Sequence, residues 1–371
     1  MSLVVRGAIK DYDWGIIDGL ARWSDGATGS PQAELWYGVH PGGPSPLVDS
    51  QGHTTDDDLA RHFDVESIPL LVKLLAAAKP LSVQVHPNRS LAAHGYAAQQ
   101  TGEESRRIYS DPFEKTELLV ALQDFEAFAG WRNQTESIAF LSAIEALNPG
   151  LDLSEAKNEL THGNFKAALP LLIQANTSTI IHTLAQAAES IGLEHAQVVA
   201  YEIVIKEYAN DAGALITPLL AYLALSKGEA VFLPAGVPHS YIRGIGVEVM
   251  TSSDNVVRLG LTSKPVFVDH ALLAINDDLQ PQVMRTHIGD LIWPVNAPFV
   301  VRLLESGTER MPTGAYRIAL AIEGKSSIVF EDAEIMIQPG RAAVMSAHDP
   351  DADVEAHGLV AVIQSTILTQ A

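Results

Sequence analysis

The 371-residue sequence predicts a mainly β protein interrupted by a block of α-helices. Three observations predict it. Short apolar or alternating runs, punctuated by Gly and Pro, fill residues 1–130 and the stretch after 214. Residues 133–210 instead repeat apolar positions at helical spacing. Hydrophobic residues make up 47% of the chain against 19% charged, so a sizeable core can be buried. The length exceeds one ordinary domain and points to two or three compact units.

Residues 68–85 are rich in Leu and Val and run into Leu81-Ser82-Val83-Gln84-Val85-His86-Pro87, whose alternation is a strand signal. Asn133 with Glu136 three residues later resembles a capping box. Ile138, Leu141, Ile144 and Leu147 then recur at helical spacing until Asn148-Pro149-Gly150 stops the helix. Residues 161–165 make a second break, and Ile180, Ile181, Leu184 and Ala188 mark another helix. Residues 196–208 form a further one, ended by Asn210-Asp211-Ala212-Gly213. After 214, GEAVFLPAG, VPHSYI and GVEVM read as short strands separated by Gly and Pro. LIWPV, FVVRLL, YRIALAI, SSIVF, AEIMI, RAAVM and GLVAVIQS continue that rhythm, which suggests a sandwich or barrel.

Composition excludes several functions. Lys plus Arg is 24 and Asp plus Glu is 45, a net charge of −21 whose field repels phosphate backbones, so no nucleic-acid partner is expected. A small anionic substrate would need local cations in its pocket. With no cysteine, disulfides, iron–sulfur clusters, thiolate zinc sites and cysteine nucleophiles are excluded. The first residues lack a basic region followed by a sustained apolar stretch, so no signal peptide is read there. No run of 18 uncharged apolar residues occurs, so no membrane span is expected. The expected compartment is the cytoplasm.

Four segments carry candidate chemistry. Ser82, Gln84 and His86 share one strand face, which lines either a polar barrel cavity or an exposed sheet surface. Pro234-Ala235-Gly236-Val237-Pro238 makes a rigid turn before His239, with His239 and Tyr241 on the same side; His239 is either a metal ligand or structural. Glu117, just before LLVAL, is either a ligand or a surface charge. Arg258, in an otherwise apolar stretch after Ser253-Asp254-Asn255, needs an anion: a carboxylate or a bound phosphate. Together Gln84, His86, Glu117 and His239 offer two nitrogens and two oxygens, a set suited to zinc or another divalent first-row metal.

These segments carry a family resemblance. YDWG (12–15), AELWYGVHP (33–41), KLLAAAKPLSVQVHP (73–87), KTELLVAL (115–122), GEAVFLPAGVPHSYI (228–242) and EVMTSSDNVVRLGLTSK (248–264) resemble the type I mannose-6-phosphate isomerases, zinc-dependent cupin enzymes, in the family's order. The resemblance implies two cupin (jelly-roll β-barrel) domains with an inserted helical domain. The catalytic cupin would span 1–131 plus 214–270, the helical insertion 132–213 and a C-terminal cupin-like domain 271–371. It further implies one Zn2+ per chain held by Gln84, His86, Glu117 and His239. Arg258, Lys115, Asp254 and Tyr241 fall on catalytic positions, and Ser82, Glu34, Lys115 and Arg258 on substrate-binding ones. The family commonly has His-Lys-Pro-Glu where this chain has Glu114-Lys115-Thr116-Glu117, so the local turn is expected to differ.

The implied reaction interconverts mannose 6-phosphate and fructose 6-phosphate by proton transfer through an enediol, with the sugar phosphate as the only implied partner. The base stays open among Asp254, Tyr241, Lys115 and a metal-bound water, and Lys115, Lys79, Arg89, Arg132 and Arg258 are the candidate phosphate cations. Oligomeric state is open, a monomer being compatible, and so is the pathway served (mannose catabolism or GDP-mannose supply). The alternatives are a non-catalytic sugar-phosphate-binding cupin and a metallocupin isomerase for another sugar. A metallocupin dioxygenase fits less well, because such sites rely on more His ligands.

Overall fold

One long strand, His239–Thr251, organises the first half of the molecule. Its first residues pair with Phe125–Trp131, and its later ones with Glu117–Ala121 and Leu70–Ala77. VPHSYI and GVEVM, expected as separate strands, are thus one continuous strand with a bend. The bend falls near Gly244, where φ is +135° and a Cβ would meet Phe125 at 2.5 Å. Glycine relieves both constraints, so the Gly-containing stretch turns the strand without ending it. The structure is a computed structural model describing residues 3–175 and 178–368. Met1, Ser2 and residues 369–371, which the expected terminal domains include, lie outside the described residues.

Two large antiparallel sheets result. The 11-stranded sheet runs from Gln282–Met284 through Ala230–Leu233, Glu117–Ala121, His239–Thr251, Leu70–Ala77 and Glu34–Tyr37 to Ala8–Lys10, with Phe125–Trp131, Leu220–Leu225, Val83–Val85 and Val257–Gly260 attached off that path. The 10-stranded sheet is built mainly from residues after 290, including Phe299–Met311 paired with Ala352–Leu368. It also takes in the N-terminal strand Leu3–Arg6, which pairs with Arg341–Met345. Leu70, Val72, Leu74, Val247 and Val249 of the first sheet share a buried core with Phe299, Val301, Ile318 and Ile363 of the second.

Between Trp131 and Leu220 the described residues are largely helical, the main helices being Gln134–Leu147, Ser154–Thr161, Phe165–Gln174, Leu184–Ser190 and His195–Tyr208. The strands on either side, Phe125–Trp131 and Leu220–Leu225, pair with each other, so the helices leave the sheet and return beside their departure point. Asn133 caps the first helix, its Oδ1 accepting the Thr135 and Glu136 N–H groups. Glu136 pairs instead with Arg132, so only half of the expected capping box forms. Ile180, Ile181, Leu184 and Ala188 fall on two short helices, Ser178–Ile181 and Leu184–Ser190, not one. Phe140, Leu141, Ile144, Leu172, Tyr201 and Val204 bury their side chains in one cluster with Val83, Val85, Val257 and Leu259. The helices therefore back the two short strands that carry Gln84 and Arg258. Among the described residues no helix is long and apolar enough to cross a membrane.

Candidate active site

Strand pairing brings the expected site residues together. In Val83–Val85, Gln84 lies opposite His239 on one side and Arg258 on the other. Glu117 opens its strand opposite Met250 and Leu233. His86 follows the strand end. The ligand atoms of His86, Glu117 and His239 all lie within 4.8 Å of one another, with the three residues 1%, 2% and 1% exposed.

The hydrogen bonds of the two imidazoles decide what this cluster holds. His86 Nδ1 lies 2.7 Å from the Asn255 carbonyl, and His239 Nδ1 lies 2.9 Å from that of Val237. A carbonyl only accepts, so each Nδ1 carries the hydrogen and each Nε2 of a neutral ring offers a lone pair. Burial pushes the His86 pKa down to about 4, so its ring is neutral at physiological pH. Glu117 Oε2 sits 3.2 Å from both Nε2 atoms. Burial alone would raise the Glu117 pKa, but the Lys115 ammonium, 2.8 Å from the other oxygen, helps hold it well below the carboxylate range. The His86 lone pair thus faces an ionised carboxylate with no proton between them, and His239 Nε2 lies at the same distance from that oxygen. A cation relieves that repulsion, and two imidazoles with one carboxylate are a donor set that fits Zn2+.

Gln84 adjoins the cluster. Its Nε2 is 3.3 Å from His239 Nε2, and its Oε1 accepts from Ser82 Oγ at 3.0 Å. A half-turn of the terminal amide exchanges nitrogen for oxygen without moving the chain.

The cluster opens into a cavity of about 580 Å³. Five cationic side chains line it (Lys73, Arg107, Lys115, Arg258, Lys264), with five carboxylates (Asp13, Glu34, Glu117, Glu248, Asp254). The lining is therefore neutral on a chain of net charge −21, which supplies the local cations an anionic substrate needs. The half-buried Arg258 guanidinium makes no hydrogen bond or ion pair among the described residues. Burial lowers its pKa, yet a guanidinium stays charged. Lys264 Nζ lies over the Tyr12 ring, 5.6 Å from its centre, within electrostatic reach of Arg258, Glu34 and Asp13, and Arg107 is exposed at the rim.

A second charged group lies across the cavity. Lys73 Nζ is 2.9 Å from Glu248 Oε2 and 3.3 Å from Glu34 Oε1, and Trp36 Nε1 donates to the second Glu34 oxygen at 2.8 Å. Burial lowers the Lys73 pKa, but its two carboxylate neighbours raise it more, so the ammonium persists. The Tyr241 hydroxyl, buried and facing Glu248, is held well above its usual value by that burial first and is a phenol at neutral pH. Asp254 lies at the mouth, its carboxyl lowered chiefly by the hydrogen bond from His40 at 2.7 Å.

Every site residue expected from the sequence except His86 and His239 lines this cavity, and those two complete the buried cluster behind it. Three of the candidate phosphate cations lie elsewhere. Lys79 pairs with Glu207, Arg132 is buried against Tyr201, and Arg89 opens the helix Arg89–Thr101. Lys73, Arg107, Lys264 and Glu248 were not singled out from sequence. A lone charge within LLVKLLAA and another within GVEVM were the available signals for Lys73 and Glu248, since Lys73 lies opposite Glu248 in the ladder. The turn at 114–117 is also accounted for. Thr116 N–H donates to Thr251 Oγ1 at 3.1 Å, a bond proline cannot make, and Glu114 accepts the Arg89 N–H at the helix start.

A larger cavity, about 720 Å³, opens on the C-terminal sheet among Arg310, Glu331, Asp332, Asp351 and Asp353. Its acidic lining disfavours a phosphate.

The family model for the catalytic domain of type I phosphomannose isomerase matches residues 3–134. The mannose-6-phosphate isomerase of Escherichia coli (strain K12) is 26% identical over 97% of this chain and 98% of its own. The probable mannose-6-phosphate isomerase of Echinococcus multilocularis is 30% identical over 71% of this chain and 70% of its own. A mutant phosphomannose isomerase from Salmonella typhimurium superposes with a TM-score of 0.82 at 23% identity, covering 99% of this chain and 100% of that one. A zinc-bound mannose 6-phosphate isomerase superposes with a TM-score of 0.79 at 22% identity, with the same coverage. At those identities the two structures establish the fold.

Proposed function

Because the chain belongs to the type I phosphomannose isomerase family, we propose that it interconverts mannose 6-phosphate and fructose 6-phosphate in the cavity beside His86, Glu117 and His239. The observation that carries this is the buried convergence of two imidazoles and an ionised carboxylate, next to an Arg258 guanidinium with no hydrogen-bond or ion-pair partner among the described residues. His86, Glu117 and His239 would hold one Zn2+, with Gln84 completing the set through its amide oxygen. Zn2+ with this donor set supplies Lewis-acid stabilisation for negative charge developing on O1 and O2 of the sugar.

The remaining work falls to the chain. Lys115 orients Glu117 through their 2.8 Å contact. Asp254, ionised and facing the cavity, is the proposed base that moves the proton between carbons 2 and 1. Tyr241, held as a phenol, serves as a hydrogen-bond donor. Arg258 shields the enediolate charge. Its flank towards Lys264 and Arg107 receives the phosphate, while Ser82 and Glu34 contact the sugar hydroxyls.

The same proposal covers the architecture: two cupin jelly rolls, 1–131 with 214–270 and 271–371, around a helical insertion at 132–213. The pairing of Leu3–Arg6 with Arg341–Met345 ties the C-terminal unit to the first as a packed half. The proposed compartment is the cytoplasm, where sugar phosphates are made and consumed. The test is a coupled assay for fructose 6-phosphate formed from mannose 6-phosphate, run beside a panel of other aldose 6-phosphates. Preference for mannose 6-phosphate supports the proposal. Preference for another sugar, or no turnover by folded, metal-loaded protein, refutes it.

A further inference from the structure

His40 comes from the Gly38-Val39-His40-Pro41 turn, more than 200 residues before Asp254 in the sequence. Its ring is buried and meets Trp36 edge-on, with centroids 4.8 Å apart. The two ring nitrogens have different partners. The Gly42 N–H donates to Nδ1 at 3.0 Å, and Nε2 lies 2.7 Å from Asp254 Oδ2. A backbone N–H only donates, so Nδ1 must offer its lone pair, and the hydrogen therefore sits on Nε2, aimed at the Asp254 carboxylate. This is the opposite tautomer to that of His86 and His239, whose Nδ1 atoms donate to carbonyls. The turn thus sets His40 up as a hydrogen-bond donor to a carboxylate.

Asp254 is fixed from behind as well. Its backbone N–H donates to Asp111 Oδ2 at 2.8 Å, and its carbonyl accepts from Ser110 Oγ at 3.3 Å. The charged or titratable groups facing its carboxyl are His40, Lys115, Lys73 and Tyr12, with Asp111 beneath the backbone. Only His40 makes a side-chain hydrogen bond to it among the described residues.

We infer that His40 is a positioning residue for the isomerase reaction: its Nε2–H pins Oδ2 of Asp254, keeps that carboxylate ionised and leaves Oδ1 to take the substrate proton. The inference rests on the proposed role of Asp254 as base. Nothing in His40 touches the metal cluster, so its loss acts on proton transfer without acting on metal binding.

The test compares His40→Phe, which keeps a ring against Trp36 but has no donor, with His40→Gln, whose amide N–H reaches a similar position. In His40→Phe the acidic limb of the kcat/KM profile for mannose 6-phosphate moves up by about one pH unit. kcat/KM then falls about tenfold below that limb, and metal content is unchanged. His40→Gln returns the limb most of the way. An unmoved limb in active, metal-loaded His40→Phe overturns the inference and leaves the isomerase proposal standing. Absence of mannose 6-phosphate turnover by the unsubstituted protein overturns that proposal, and the inference with it. Should His40→Phe fail to fold, the imidazole ¹⁵N shifts of the unsubstituted protein decide: a pyridine-like Nδ1 and pyrrole-like Nε2 support the inference, and the reverse assignment overturns it.

Discussion

Replacing Lys73 with Met leaves two buried carboxylates without their shared cation. Lys73 is 7% exposed, lies 2.9 Å from Glu248 and 3.3 Å from Glu34, and both acids are buried. Met fills nearly the same shape, so the loss is mainly electrostatic. Removing one partner of a buried ion pair costs about 3–5 kcal/mol. The sign of its pH dependence follows from Glu248. Burial already raises the Glu248 pKa, and Lys73 is the strongest opposing influence. Without Lys73 the folded-state value climbs further above the unfolded value of about 4.3. The folded variant then binds more protons than the unfolded chain between those two values, so its stability falls as pH rises through that window. Below the unfolded value the penalty vanishes. Urea unfolding of parent and Lys73→Met at pH 5 and pH 8 measures it. The expected loss is small at pH 5 and about 3 kcal/mol or more at pH 8. A loss under about 1 kcal/mol at pH 8, or one independent of pH, refutes this account of the buried group.

His86→Ala removes metal and activity together, as read by metal analysis and the coupled assay; full metal occupancy in the variant contradicts its place in the site. Arg258→Ala keeps its metal and loses at least about a hundredfold in turnover, as removal of a group stabilising developing charge does; normal turnover refutes its role. Asp211→Ala acts from the helical segment. Asp211 Oδ2 accepts the Thr262 N–H at 2.8 Å and so holds the loop that carries Lys264 to the cavity. KM for mannose 6-phosphate rises several-fold with kcat and metal content little changed, and an unchanged KM separates that loop from substrate binding.

The parts of this molecule legible in sequence were those written in local pattern. Ser82, Gln84 and His86 alternate along one strand, and a rigid Pro-Gly-Pro turn precedes His239, so both could be seen before their convergence was known. What brings them together is register, with Gln84 opposite both His239 and Arg258, and register between distant strands leaves no local trace. Lys73 and Glu248 escaped for the same reason: each is a single charge in an apolar run, and only their cross-strand pairing gives them meaning. Gly244 looked like a break between strands because glycine serves both turns and bends. The entry of Leu3–Arg6 into the C-terminal sheet joins residues more than 330 positions apart, as Leu3 with Val344, beyond the reach of any periodicity. His40 read as part of a turn, and only the Gly42 N–H at Nδ1 reveals which nitrogen carries its proton.

The central claim is that a divalent metal at His86, Glu117 and His239 supports isomerisation of mannose 6-phosphate. The most direct measurement follows fructose 6-phosphate formation before chelation, after chelation and after stepwise return of Zn2+, with bound metal quantified at each step. The account predicts activity lost with the metal and restored in proportion to it, up to one Zn2+ per chain. Full activity in chelated protein shown to be free of metal would contradict it.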